Sequence, residues 1–175
     1  MKWSDHYWYK IPCMRARVEE IVSRAKGAAS IVEVGCNEGF LSQALKEVGL
    51  NVTSVDNDPK MVGAAKNMFG IDVVRGDINA LPFKDEEFDL AIGGEVLEHL
   101  LNPGAGLREL FRVAKKRVII SLPVGSYWLG EPTHQWGIGG AVIEHDRGLN
   151  ENMVKKLLVL EFYKRGDTRG LRRDA

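Results

Sequence analysis

The sequence predicts an α/β chain built on a doubly wound, mainly parallel sheet with helices on both faces. Two observations carry this: short β-like apolar runs alternate with segments of helical periodicity, and glycine or proline marks the junctions between them. Parallel neighbours need crossover connections, and crossovers are usually helices, so the alternation implies covered faces. The 175 residues suffice for one sizeable core and lie within the usual range for one domain. A single domain over residues 1–175 is expected, with a helical cap over 1–28 and a charged tail over 165–175.

Along the chain, Met14, Val18, Ile21 and Val22 recur at helical spacing, predicting a helix over 11–26 that Gly27 stops. A strand over 31–34 runs into a glycine turn, and a helix over 41–48 ends at Gly49. The next strand, 51–55, leads into Asp56-Asn57-Asp58-Pro59, where proline opens a helix over 60–69 that Gly70 stops. Strands are expected over 71–75 and 88–92, then a helix over 104–114 and a fifth strand over 117–122 closed by Pro123. Residues 124–140 are rich in glycine and aromatics without a period, and a loop over the site is expected there. Residues 150–160 read as helix or helix-to-strand, and 161–164 as a sixth strand. The tail "RGDTRGLRRDA" reads as a solvated end.

Lysine plus arginine (24) equals aspartate plus glutamate (24), so no overall field favours nucleic acid or an anionic membrane. Cys13 and Cys36 form no CxxC pair and read as buried thiols of a reduced compartment. The start, "MKWSDHYWYK", has no basic-then-apolar leader, and no run reaches bilayer length. A soluble, cytoplasmic protein with no membrane association is expected, as monomer or homodimer.

Chemistry concentrates at strand ends. In a doubly wound sheet, ligands bind outside the carboxyl ends of the strands, where glycines such as Gly35 and Gly39 let the backbone come close. Asp56, ending the second strand, can accept both hydroxyls of a ribose. A dinucleotide would want G-x-G-x-x-G around its pyrophosphate, but Asn37 replaces the middle glycine and Glu38 would face a phosphate. A ligand with ribose and adenine, no phosphate, an amino-acid end and a positive charge fits better, and S-adenosylmethionine answers that description.

Over residues 29–123 the sequence resembles the class I S-adenosylmethionine-dependent methyltransferases, specifically the type 11, UbiE-like small-molecule group. "VEVGCNEG" resembles the family's first motif, which implies that Glu33, Gly35, Cys36, Asn37 and Gly39 lie beside the methionine part of the cofactor. "VTSVDND" resembles the second strand, implying a ribose contact at Asp56 with Asn57 beside it. "RGDINALPF" resembles the adenine segment, implying Asp77 at the adenine amine and the Ile78 amide at a ring nitrogen. "FDLAIGGEVLEHL" and "RVAKKRVIISLP" resemble the fourth and fifth strands with their flanking turns, placing Gly93 and Glu95 at the cofactor. Glu33 is also open to a second reading, in which it ties down the glycine loop through its amides. Asp77 could likewise make a turn with Asn79. The family sheet ordinarily ends with a two-strand hairpin; one candidate run remains here, so an incomplete sheet edge is expected.

Methyl transfer is an in-line displacement, so a base is optional; His99 and His134 are the candidates. The Asn/Asp-Pro-Pro-aromatic motif of nucleobase-amine methyltransferases is replaced by Gly93-Gly94-Glu95. Glu95, Glu98 and His99 would share one face at a helix start, and with His134 they resemble the divalent-cation site of small-RNA 2′-O-methyltransferases. The preferred reading has no metal: Glu98 and His99 cap or pack the helix while Glu95 faces the cofactor. The expected partner is a small-molecule acceptor, with nucleic acid disfavoured. Trp3, Tyr7, Trp8, Tyr9, Tyr127, Trp128 and Trp136 are candidates for an acceptor-pocket lid, and His6 and His145 read as surface residues.

Overall fold

The computed structural model describes residues 1–124 together with 135–138, 141–144 and 156–163. Two short 3₁₀ turns, Trp3–Asp5 and Tyr7–Lys10, lead into α1 (Pro12–Ala25), which opens on a proline whose missing N–H costs nothing at a first helical turn. Next come β1 (Ile31–Val34), α2 (Phe40–Glu47), β2 (Val52–Asp56), α3 (Pro59–Phe69) and β3 (Val73–Arg75). Asp58 caps α3 by accepting the Lys60 N–H, and Gly70 ends it in the left-handed conformation that glycine adopts without a Cβ penalty. β4 (Phe88–Gly94), α4 (Pro103–Val113) and β5 (Ala114–Val124) follow, then β6 (Gln135–Ile138), β7 (Ala141–Glu144) and β8 (Lys156–Tyr163).

The main sheet runs β3-β2-β1-β4-β5-β8, with the first five strands parallel and β8 antiparallel to β5. Strand order reverses between β1 and β4, which makes the carboxyl ends of these strands a ligand-binding position. Alternate side chains feed two cores. Ile31, Leu90, Ile92 and Ile119 pack with Val18 and Ile21 of α1 and with Leu41 and Leu45 of α2. Val32, Val34, Ala91, Val118 and Ile120 pack with Leu110 and Val113 of α4. The doubly wound expectation holds.

Three boundaries depart from the sequence reading. β8 begins at Lys156, so the stretch read as helix or helix-to-strand over 150–160 is strand from 156 onward and lengthens the sixth strand. Residues 135–138, expected within a loop, pair antiparallel with β7 in a separate two-stranded sheet. After β4 the chain makes a single 3₁₀ turn, Leu97–His99, and not an α-helix. The sheet edge carries one antiparallel strand beyond β5 among the described residues.

Candidate cofactor site

The glycine turn after β1 is hooked onto the end of β2. The Gly35 and Cys36 N–H groups both donate to the Val55 carbonyl, at 2.8 and 3.0 Å, and the Asn37 N–H donates to Asp56 Oδ2 at 2.8 Å. Gly35 has φ +76°, and a Cβ there would lie 2.7 Å from Val96 Cγ2, so the position needs glycine for conformation and for space. Asn37, at φ +51°, takes the left-handed conformation that asparagine tolerates better than most residues. Asp56 is buried and also accepts the Asp58 N–H through Oδ1 at 2.9 Å. Each oxygen takes one amide and keeps further acceptor capacity. The acid that ties the loop down is therefore Asp56; the partner found for Glu33 is the Ser42 hydroxyl on α2, which in turn lies 2.6 Å from Ser54 Oγ.

Two adjoining cavities open at these strand ends. The larger, 260 Å³, is lined by Asp56 and Asn57 together with apolar Val34, Met61, Ile78, Val96 and Leu100. The smaller, 180 Å³, is lined by Glu33, Cys36, Glu38 and Gly94, and by Trp8, Met14 and Arg17 from the amino-terminal region. Gly35, Asn37, Glu95 and His99 border both.

The smaller cavity is rich in buried charge. Burial pushes the Glu33 carboxyl up to about 7, against the opposing effects of the Ser42 hydrogen bond and the Arg17 charge. Arg17 is only 8% exposed; its Nη1 lies 3.8 Å from Glu95 Oε2, and its Nε has no hydrogen-bond partner. Glu95 sits at φ +56°, its N–H donating to the Ser121 carbonyl at 3.0 Å. Glu98 is buried, and burial first, then the neighbouring Glu95 charge, pushes its carboxyl up to about 8. Cys36 is a buried thiol pushed far up by burial, which disfavours its thiolate.

Several sequence candidates lie elsewhere than expected. Asp77 is exposed, and its Oδ1 accepts from the Asn79 N–H (2.8 Å) and Nδ2 (2.9 Å), making the turn; Ile78 lines the larger cavity while Asp77 borders neither. Gly93 is a packing position, since a Cβ there would meet Leu110 at 2.8 Å, and it is Gly94 that borders a cavity. Gly39 precedes α2 at φ +83°, and a Cβ would come 3.1 Å from Ile71. Glu95 and His99 border the cavities together, but Glu98 does not join them. On the 3₁₀ turn Glu98 is buried and the His99 side chain is 72% exposed, with 4.0 Å between His99 Nε2 and Glu98 Oε1. Among the described residues no three His, Cys, Asp or Glu side chains come together as a metal site. His134, Tyr127, Trp128, His145 and the tail lie outside the described residues. His6, read as a surface residue, is buried against Phe40, with ring centroids 5.1 Å apart. Trp3, Trp8 and Tyr9 all pack against the core that α1 and α2 cover, and Trp8 also lines the smaller cavity.

Sequence reasoning missed Arg17, Gly94, Met61 and Val96. Arg17 had a signal: it falls in the stripe of Met14, Val18 and Ile21, where a charge has no place unless the helix covers a polar cavity.

The family model described as a methyltransferase domain, of the type 11 group, matches residues 32–122. The chain belongs to that family. A malonyl-[acyl-carrier protein] O-methyltransferase of Erwinia billingiae is 33% identical over 98 residues, covering 54% of this chain and 39% of that protein. A protein of Mycolicibacterium smegmatis named as a probable S-adenosylmethionine-dependent methyltransferase is 25% identical over 174 residues, 95% of this chain and 63% of that one. The crystal structure of an S-adenosylmethionine-dependent methyltransferase from Aquifex aeolicus superposes with a TM-score of 0.55 at 25% identity, covering 66% of this chain and 68% of that one. The methyltransferase chain thus spans less than two thirds of the length of these two curated relatives.

S-adenosylmethionine is the cofactor of this family, and the residues present fit it. A carboxylate with spare acceptor capacity stands in a cavity part-walled by Val34, Met61, Ile78, Val96 and Leu100, while an arginine with an orphaned Nε and a buried acid stand in the cavity next to it. That is the donor and acceptor set for a nucleoside at one end and an amino acid at the other.

Proposed function

We propose that this chain transfers the methyl group of S-adenosylmethionine to an oxygen, nitrogen or carbon nucleophile of a small molecule. The observation that carries the reading is the pair of cavities meeting at Gly35, Asn37, Glu95 and His99. In the larger one, Asp56 accepts the ribose hydroxyls and Met61, Ile78 and Leu100 flank the base. In the smaller one, Arg17 receives the α-carboxylate, and Glu33, with its carboxyl near 7, ionises readily beside an ammonium. When bound, the cofactor supplies a methyl group made electrophilic by its sulfonium. The protein aligns an acceptor and excludes water, which is most of what an in-line displacement requires. His99 borders both cavities and is exposed, so it is the described group placed to take a proton from the acceptor.

Oxygen nucleophiles are the first class to assay, because the Erwinia relative is named as an O-methyltransferase. The even charge balance supports a small acceptor over RNA. Incubation with methyl-labelled S-adenosylmethionine and a panel of small carboxylic acids, phenols and amines should move label to at least one of them. Tight binding of the cofactor with no label moved to any acceptor, and label moved to RNA instead, are the two results that would overturn the proposal.

A further inference from the structure

Two donors from the amino-terminal segment meet at one carboxylate oxygen of the glycine turn, with a histidine ring beside them. Trp8 Nε1 donates to Glu38 Oε2 at 3.2 Å and the Tyr7 hydroxyl donates to the same oxygen at 3.3 Å. His6 Nε2 stands 3.3 Å from it without making a hydrogen bond. Because His6 Nδ1 accepts the Trp8 N–H, a neutral ring carries its proton on Nε2, the nitrogen facing Glu38. The segment's other polar ties, the Trp3 N–H to Glu47 and Gln43 to the Met1 carbonyl, are exposed and lie away from the cavities. Glu38 and Trp8 both line the smaller cavity, whereas no residue of 1–11 lines the larger one.

We propose that Glu38 is a positioning residue that latches the segment of residues 1–11 across the smaller cavity, holding Trp8 as the wall against the amino-acid end of the cofactor. This rests on the assignment of that cavity to the methionine end. Glu38, which the sequence presented only as a group hostile to phosphate, acts through Trp8. Its carboxylate concentrates on one oxygen the charge-assisted hydrogen bonds that fix the indole and phenol.

The asymmetry between the cavities makes the proposal testable by calorimetric titration with S-adenosylhomocysteine and with 5′-methylthioadenosine, which lacks the amino-acid end. Glu38→Ala should weaken S-adenosylhomocysteine about tenfold and leave 5′-methylthioadenosine within about twofold of the parent chain. Glu38→Gln, whose carbonyl still accepts from Trp8 and Tyr7, should stay close to the parent for both. Trp8→Leu removes the other partner and should reproduce the selective loss, so the proposal stays testable if Glu38→Ala fails to fold. Equal weakening of both ligands, or no weakening of S-adenosylhomocysteine, overturns the latch while leaving the cavity assignment standing. A parent chain that binds 5′-methylthioadenosine and S-adenosylhomocysteine equally overturns the assignment and the latch with it.

Discussion

Two carboxylates, Glu33 and Glu98, are buried near Arg17 without a close ion pair, and burial raises both. Glu98 makes the consequence measurable. Its carboxyl moves from 4.5 to about 8 on folding, with Glu95, Arg17 and His99 as the charged or titratable groups around it. Between those values the folded chain holds a proton that the unfolded chain releases. The contribution is thus fully present below about 4.5 and is lost as pH rises through 8. Glu98→Gln keeps the shape without the charge, so its melting temperature should match the parent near pH 5 and exceed it at pH 9, by a shift worth on the order of a few kcal/mol. Equal melting temperatures at both pH values would show that Glu98 is solvated. The sequence marked Glu98 as notable through its spacing to Glu95 and His99. It could not show that a 3₁₀ turn buries one and exposes the other, because spacing assigns faces only once the helix type is known.

At the scale of elements, the β1–α2 turn does the most positional work, since its amides fasten to Val55 and Asp56 and fix the wall that both cavities share. Gly35→Ala places a Cβ 2.7 Å from Val96 at a positive φ. Overpacking together with the left-handed backbone should cost about 3 kcal/mol and lower the melting temperature by roughly 5–10 °C. An alanine variant that melts with the parent would mean that Val96 and the turn relax freely. Elements up to β5 were legible because proline, glycine and capping side chains sit at their ends, as at Asp58, Gly70 and Asn102. β8 was harder. "KLLVLEFY" is a nearly continuous apolar run, and such a run has no period with which to choose strand over helix. The amino-terminal turns were hidden for another reason: what buries His6 is Phe40, 34 positions along the chain, and Glu38 beside it.

In the whole molecule, the reversal of strand order between β1 and β4 brings the ends of β1, β2 and β4 to one edge, with α1 laid over part of it. The strand-end part of the proposed site was legible, since Asp56, Glu33 and the glycine turn lie at strand ends that topology brings together. Arg17, proposed for the amino-acid end, was not, because it comes from outside the motif-bearing core and reaches the cavity only through tertiary packing. The central claim is that the two cavities hold the two halves of one cofactor. It is tested most directly by titrating the parent chain, Asp56→Ala and Arg17→Met with S-adenosylhomocysteine and with adenosine. Asp56→Ala should weaken both ligands roughly tenfold to a hundredfold, and Arg17→Met should weaken S-adenosylhomocysteine to a similar degree while leaving adenosine unchanged. Adenosine binding lost with Arg17, or S-adenosylhomocysteine binding untouched by the loss of Asp56, would contradict the account.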